Sequence, residues 1–128
     1  MEGTTILIVD DEQKIRELLD LRLSAEGFKV IQAVDGEEGV AQARKHSPDL
    51  ILMDVMMPKM DGAEAVNELR QDPATKDIPV IFLTSMITKE EETSQAFGIQ
   101  LDTKKHHFIA KPFETPSLLA EIHKALNK

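Results

Sequence analysis

Hydrophobic residues occur along this chain in short, nearly continuous runs, separated by stretches in which they recur three or four positions apart. Runs that are apolar at consecutive positions predict strands buried on both faces, which is typical of parallel sheets. The helical spacing between the runs predicts amphipathic helices that cover such a sheet. The predicted strands are residues 5–9, 28–33, 50–53, 79–83 and 107–110.

Capping residues indicate where the helices begin and end. Gly27 follows the first helical stretch, where Ile15, Leu19 and Leu23 form one apolar stripe, and is expected to cap it. The sequence DGEE at residues 35–38 has the spacing of a capping box with Asp as the N-cap. Five helices are predicted. Three of them span residues 12–26, 63–70 and 88–98; another begins at Asp35 and ends near His46, and the last has Thr115 as its N-cap.

The alternation of strands and helices predicts the α/β class, because parallel strands need crossover connections and helices supply them here. Right-handed crossovers leave few topologies for five strands. We expect a doubly wound (βα)5 flavodoxin-like parallel sheet with strand order 2-1-3-4-5. No linker or low-complexity tract interrupts the pattern, so residues 1–128 are expected to form a single domain.

Carboxylates directly follow two of the predicted strands. Asp10 and Asp11 come after the first strand and Asp54 comes after the third. The predicted order makes these strands neighbours, so the three side chains should meet at the carboxyl edge of the sheet. Crowded carboxylates need a counter-charge, and Mg²⁺ prefers such oxygen ligands. The alternative is that they only cap a helix and begin a turn.

The ends of the fourth and fifth predicted strands carry a hydroxyl and an ammonium group. Thr84 follows the fourth strand and Lys111 follows the fifth. A carboxylate nucleophile, a divalent cation, a hydroxyl donor and a lysine are the groups needed to move a phosphoryl group onto a carboxylate. A flavin-binding protein would need a phosphate loop in place of the acidic pair, and a P-loop enzyme would need a Gly-rich lysine motif that the chain lacks.

Several motifs together resemble the response-regulator receiver domain of two-component signalling, the CheY-like superfamily, over essentially the full chain. The matching segments are ILIVDDE at 6–12, DGEE at 35–38, PDLILMD at 48–54, MPKMDG at 57–62, TS at 84–85 and KPF at 111–113. The resemblance implies a protein that is not an enzyme beyond catalysing its own phosphorylation and slow dephosphorylation.

The resemblance also implies chemical roles for individual residues. Asp54 would be the phospho-acceptor, taking a phosphoryl group from a sensor histidine kinase or a histidine phosphotransfer protein. Asp10, Asp11 and Asp54 would hold Mg²⁺ together with the backbone carbonyl of Met56. Lys111 would bind the phosphate.

The resemblance implies roles for two further residues in the conformational change that follows phosphorylation. Thr84 would be the switch hydroxyl and Phe108, three residues before Lys111, the aromatic switch residue; the alternative for Phe108 is an ordinary core residue. Phosphorylation would reshape the face formed by the fourth predicted helix, the fifth strand and the fifth predicted helix. The reshaped face would control a downstream protein target or form a homodimer that depends on phosphorylation.

Composition narrows the range of partners. The net charge of −8 argues against a direct nucleic-acid surface, and no apolar run is long enough to cross a membrane. The absence of cysteine fits a cytoplasmic location.

Two alternatives to a stand-alone phosphorylated receiver remain: a stand-alone metal-binding interaction module that works without phosphorylation, and a receiver fragment of a longer transcriptional regulator. The basic segment at 99–107, longer than in typical receivers, is expected to select a partner or to protect an edge strand.

Overall fold

Strands and helices alternate in the computed structural model, which describes residues 3–54, 62–84, 107–110 and 115–126. The strands are β1 (Thr5–Val9), β2 (Lys29–Ala33), β3 (Leu50–Asp54), β4 (Val80–Thr84) and β5 (His107–Ala110). The helices are α1 (Gln13–Ala25), α2 (Gly36–His46), α3 (Gly62–Arg70) and α4 (Thr115–Leu126). The predicted helix at 88–98 lies outside the described residues, so α4 corresponds to the fifth predicted helix. Within the described ranges, no helix has the length and apolar character needed to cross a membrane.

The sheet is parallel throughout, and its strand order is β2-β1-β3-β4-β5. This confirms the predicted flavodoxin-like topology. Four strand boundaries differ by one residue from the prediction: β2 begins at Lys29, β3 includes Asp54, and β4 extends from Val80 to Thr84. Asp54 continues the strand because its backbone is in register with Leu83 of β4. The carboxyl ends of β1 and β3 therefore lie side by side in the centre of the sheet.

The predicted capping of α2 is present, with one change of partner. The carboxylate of Asp35 accepts a hydrogen bond from the backbone N–H of Glu38 at 2.9 Å. The carboxylate of Glu38 accepts from the N–H of Val34 at 2.7 Å, one residue before the N-cap itself. Both bonds satisfy N–H groups that the helix cannot pair internally. The start of α2, directly after the end of β2, is thereby fixed.

Two hydrophobic cores lie on opposite faces of the sheet, because successive strand residues point to opposite sides. The α2/α3 core contains Leu7, Val9, Ala33, Val40, Ala43, Ile51, Met53, Ala65, Val66, Leu69, Ile78, Val80 and Phe82. The α1/α4 core contains Ile6, Ile8, Leu19, Leu23, Phe28, Leu50, Leu52, Ile81, Leu83, Leu118 and Ile122. Burial on both faces explains why β1 and β3 are apolar at consecutive positions.

Gly39 allows α2 to lie close to β1, and replacing it with alanine is expected to destabilise the fold. A Cβ at this position would lie 2.9 Å from Cγ2 and 3.0 Å from Cγ1 of Val9. Overpacking of this kind costs roughly 1–3 kcal/mol, against a gain in helix propensity of roughly 1 kcal/mol. We expect urea unfolding of Gly39→Ala to show the net loss. In a Val9→Ala background the new methyl group has room, so an equal loss in both backgrounds would contradict the steric explanation.

Candidate functional site

Three carboxylates meet at the carboxyl edge of the central strands. Val9 of β1 is in register with Met53 of β3, so the residues that follow them occupy neighbouring positions. Asp10, Asp11 and Asp54 each place a carboxylate oxygen so that all three oxygens lie within 4.8 Å of one another. The structure thus brings together the three residues that the sequence singles out.

Burial differs among the three carboxylates, and it removes two of them from water. Asp10 is fully buried and Asp54 is 5% exposed, whereas Asp11 is exposed to solvent. Neighbouring buried carboxylates repel each other and lose hydration, so a cation between them is strongly favoured. The oxygen-only set suits Mg²⁺, which keeps several waters, and the exposed side at Asp11 leaves room for them. The residues present therefore fit a magnesium ion.

Asp10 is held in place by a hydrogen bond at each of its polar groups. Its backbone N–H donates to the carbonyl of Ala33 on β2 at 3.2 Å. Its side-chain Oδ1 accepts from the N–H of Glu12 at 2.9 Å, and its carbonyl accepts from Nη1 of Arg16 at 2.8 Å. These contacts fix the backbone and the carboxylate of Asp10 at the end of β1.

A chain of side-chain hydrogen bonds extends from Asp10 to the outside of α1 and β2. Nε of Arg16 donates to Oε1 of Gln32 at 3.2 Å, and Nε2 of Gln32 donates to Oδ2 of Asp20 at 2.7 Å. The hydroxyl of Ser24 donates to the other oxygen of Asp20 at 2.8 Å. Sequence patterns did not single out these residues. The helix dipole gives no signal specific to Arg16, because Lys14 is a second cation that lies closer to the same helix N-terminus.

Asp54 and the backbone of Thr84 belong to adjacent strands. Asp54 is the last residue of β3 and is in register with Leu83 of β4, the residue before Thr84. Thr84 is the last residue of β4 and is in register with Ala110 of β5. The backbone thus brings the residue predicted to donate a hydroxyl to the same edge as the predicted acceptor.

Other residues named from the sequence lie partly or wholly outside the described part of the chain. For Thr84 and Phe108 the structure describes the backbone, in which Phe108 is in register with Phe82, and not the side chain. Met56, Lys111 and the segment at 99–106 are outside the described residues. The roles expected of them stay predictions.

Comparison with known proteins identifies the family. The response regulator receiver domain family matches residues 6–123. The DNA-binding dual master transcriptional regulator RpaA of Synechocystis is 38% identical over 123 residues, which cover 96% of this chain and 49% of RpaA. The chain spans about half the length of the curated relatives it matches. Because these relatives are transcriptional regulators, the expectation of no nucleic-acid partner is not supported.

Solved structures show the same fold. The chemotaxis protein CheY4 of Vibrio cholerae superimposes with a TM-score of 0.81 at 32% identity, covering 96% of this chain and 98% of CheY4. The receiver domain of a Pseudomonas aeruginosa sensor histidine kinase, which has a magnesium ion coordinated in its active-site cleft, gives a TM-score of 0.82 at 27% identity and covers 98% of this chain and 99% of that domain. The chain therefore belongs to the response-regulator receiver family.

Proposed function

We propose that this receiver accepts a phosphoryl group on Asp54 from the phosphohistidine of a sensor histidine kinase or a histidine phosphotransfer protein, with Mg²⁺ as cofactor. The observation that supports it most directly is the convergence of Asp10, Asp11 and Asp54 within 4.8 Å at the edge of the sheet. Asp54 is the member of this group at the end of the central strand β3, where the rigid sheet fixes its backbone.

In the proposed transfer, a carboxylate oxygen of Asp54 attacks the phosphorus atom of the donor. An O–P bond forms while the P–N bond to imidazole breaks, and the electron pair stays on the ring nitrogen, which takes up a proton. Asp10, Asp11 and Asp54, with the carbonyl of Met56, would hold Mg²⁺, which would offset the negative charge on the phosphoryl oxygens. Lys111 adds a second positive charge near the same oxygens.

The proposed output is a change of surface that a protein partner reads. Phosphorylation adds roughly two negative charges and three acceptor oxygens at Asp54. The hydroxyl of Thr84 then moves toward the phosphoryl group, and Phe108 turns into the space it leaves. This reshapes the face that includes β5 and α4, and the altered face binds a downstream protein or a second phosphorylated copy.

A second candidate is that the chain is the receiver part of a longer DNA-binding regulator. It is favoured by the relatives, of which the chain spans about half. An antibody raised against this chain would distinguish the candidates in cells of the source organism. A protein about twice the chain's length would support the longer regulator, and one of the chain's own length would support a receiver that acts alone.

Removing Mg²⁺ is expected to abolish phosphorylation of the wild-type protein. Incubation with acetyl phosphate or phosphoramidate should add one phosphoryl group, detected as a single adduct by intact mass spectrometry, because the cation offsets charge in the transition state. With EDTA in place of Mg²⁺ the adduct should be absent. An adduct of equal yield in EDTA would contradict the cofactor, and no adduct with either donor, together with no Mg²⁺ binding, would favour an interaction module that works without phosphorylation.

A further inference from the structure

Arg16 is a partly buried cation near the start of α1. As the fourth residue of α1, it lies near the positive end of the helix dipole, which disfavours a cation. Its side chain is partly buried, so part of its hydration is lost as well. Specific contacts have to compensate for both costs.

The contacts of Arg16 connect the acidic site to β2. The planar guanidinium donates through Nη1 to the carbonyl of Asp10 at 2.8 Å and through Nε to Oε1 of Gln32 at 3.2 Å. Two bonds from one rigid plane fix its orientation better than one bond from a flexible ammonium would. Gln32 is fixed in turn by Asp20, at 2.7 Å. The carbonyl of Asp10 is thereby tied to side chains outside the site.

The same carbonyl belongs to the peptide group that joins Asp10 to Asp11. The bond from Arg16 restrains the plane of this peptide group, and with it the backbone angles that help set the directions of the Asp10 and Asp11 side chains. We propose that Arg16, held by Gln32, is a positioning residue that keeps the carboxylates of Asp10 and Asp11 in the arrangement that binds Mg²⁺. This proposal rests on the proposed function of the site and concerns a residue that does not itself bind the ion.

Charge and positioning predict opposite effects of removing Arg16. The guanidinium is positive and close to the site, so its loss on charge alone would strengthen the binding of a cation. Loss of positioning would weaken it, and groups that orient metal ligands typically change metal affinity by 10-fold or more when removed. We expect positioning to dominate, so that Arg16→Met raises the Mg²⁺ dissociation constant roughly 10-fold.

Mg²⁺ titration by calorimetry tests the proposal, with unfolding in EDTA as the measure of fold. Gln32→Leu leaves the charge of Arg16 in place and should also weaken Mg²⁺ binding. The Mg²⁺ dissociation constant of Arg16→Lys should fall between those of wild type and Arg16→Met. The matched control is Arg70→Met, because Arg70 donates to the carbonyls of Lys76 and Ile78 at 2.8 and 2.9 Å beside the amino end of β4. This control should lose stability and keep its Mg²⁺ affinity.

The outcomes distinguish failure of Mg²⁺ binding at the site from failure of the positioning role of Arg16. If wild type does not bind Mg²⁺, the proposed function fails and this proposal fails with it. If wild type binds Mg²⁺ and Arg16→Met binds it equally or more tightly, only the positioning role is overturned. If Arg16→Met does not fold, Gln32→Leu decides, since unchanged affinity in that variant would also overturn the role.

Discussion

Replacing Asp54 with asparagine is expected to abolish the phosphoryl adduct completely. The amide has the size of the carboxylate but lacks its nucleophilic charged oxygen, so no acyl phosphate can form. The variant should fold, because the change removes one of three crowded carboxylates and with it part of their repulsion. Intact mass spectrometry after incubation with acetyl phosphate and Mg²⁺ measures the result directly, and unfolding in urea checks the fold.

Asp49 provides a matched control one residue before the amino end of the same strand. It is exposed, and its carboxylate accepts a hydrogen bond from the N–H of Thr5 at 2.8 Å, a bond that asparagine can also accept. Asp49→Asn should therefore be phosphorylated to the same extent as wild type. An adduct that persists in Asp54→Asn would show that another residue is the acceptor.

The largest expected loss of stability comes from replacing Phe82 with alanine. Phe82 is fully buried in the α2/α3 core, and its backbone on β4 is in register with Met53 of β3 and Phe108 of β5. Truncating a buried phenylalanine removes its apolar contacts and leaves a cavity, which costs roughly 3–5 kcal/mol. Urea unfolding should show a midpoint shifted to much lower denaturant concentration, or a protein that no longer folds.

Leu21 is the control for this change, because it is a large apolar residue on α1 that is 70% exposed. Leu21→Ala should alter the free energy of unfolding by no more than about 0.5 kcal/mol. Similar losses in both variants would mean that burial in the core does not account for the effect at Phe82.

The strand order and the cores could be predicted because they follow from patterns within short segments. Consecutive apolar residues predict strands buried on both faces, and right-handed crossovers leave few ways to arrange them. The last residue of a strand is harder to predict from such patterns. Asp54 reads as the residue after β3 because it is charged, yet its backbone still pairs with Leu83, since a ladder depends on backbone register and not on side-chain polarity.

The candidate site also has features that could be predicted from the sequence and features that could not. The meeting of Asp10, Asp11 and Asp54 could be predicted, because the ends of neighbouring parallel strands share one edge. The contact between Arg16 and Gln32 could not, because it joins a helix to a strand through side-chain conformations that periodicity does not encode. The partner of Glu38 is a similar case, since the choice of the N–H of Val34 depends on local backbone geometry.

The two cores also differ in how much of the chain must leave the ribosome before each core is complete. Among the described residues, the α2/α3 core draws only on positions up to Phe82, whereas the α1/α4 core needs Leu118 and Ile122 from the last helix. Ile6 and Ile8 are among the first residues to be synthesised, and α1 contributes Leu19 and Leu23 to their core, but the core is complete only when α4 joins it. Until α4 emerges, this apolar face of the nascent sheet is only partly covered, and the exposed part can aggregate or bind chaperones.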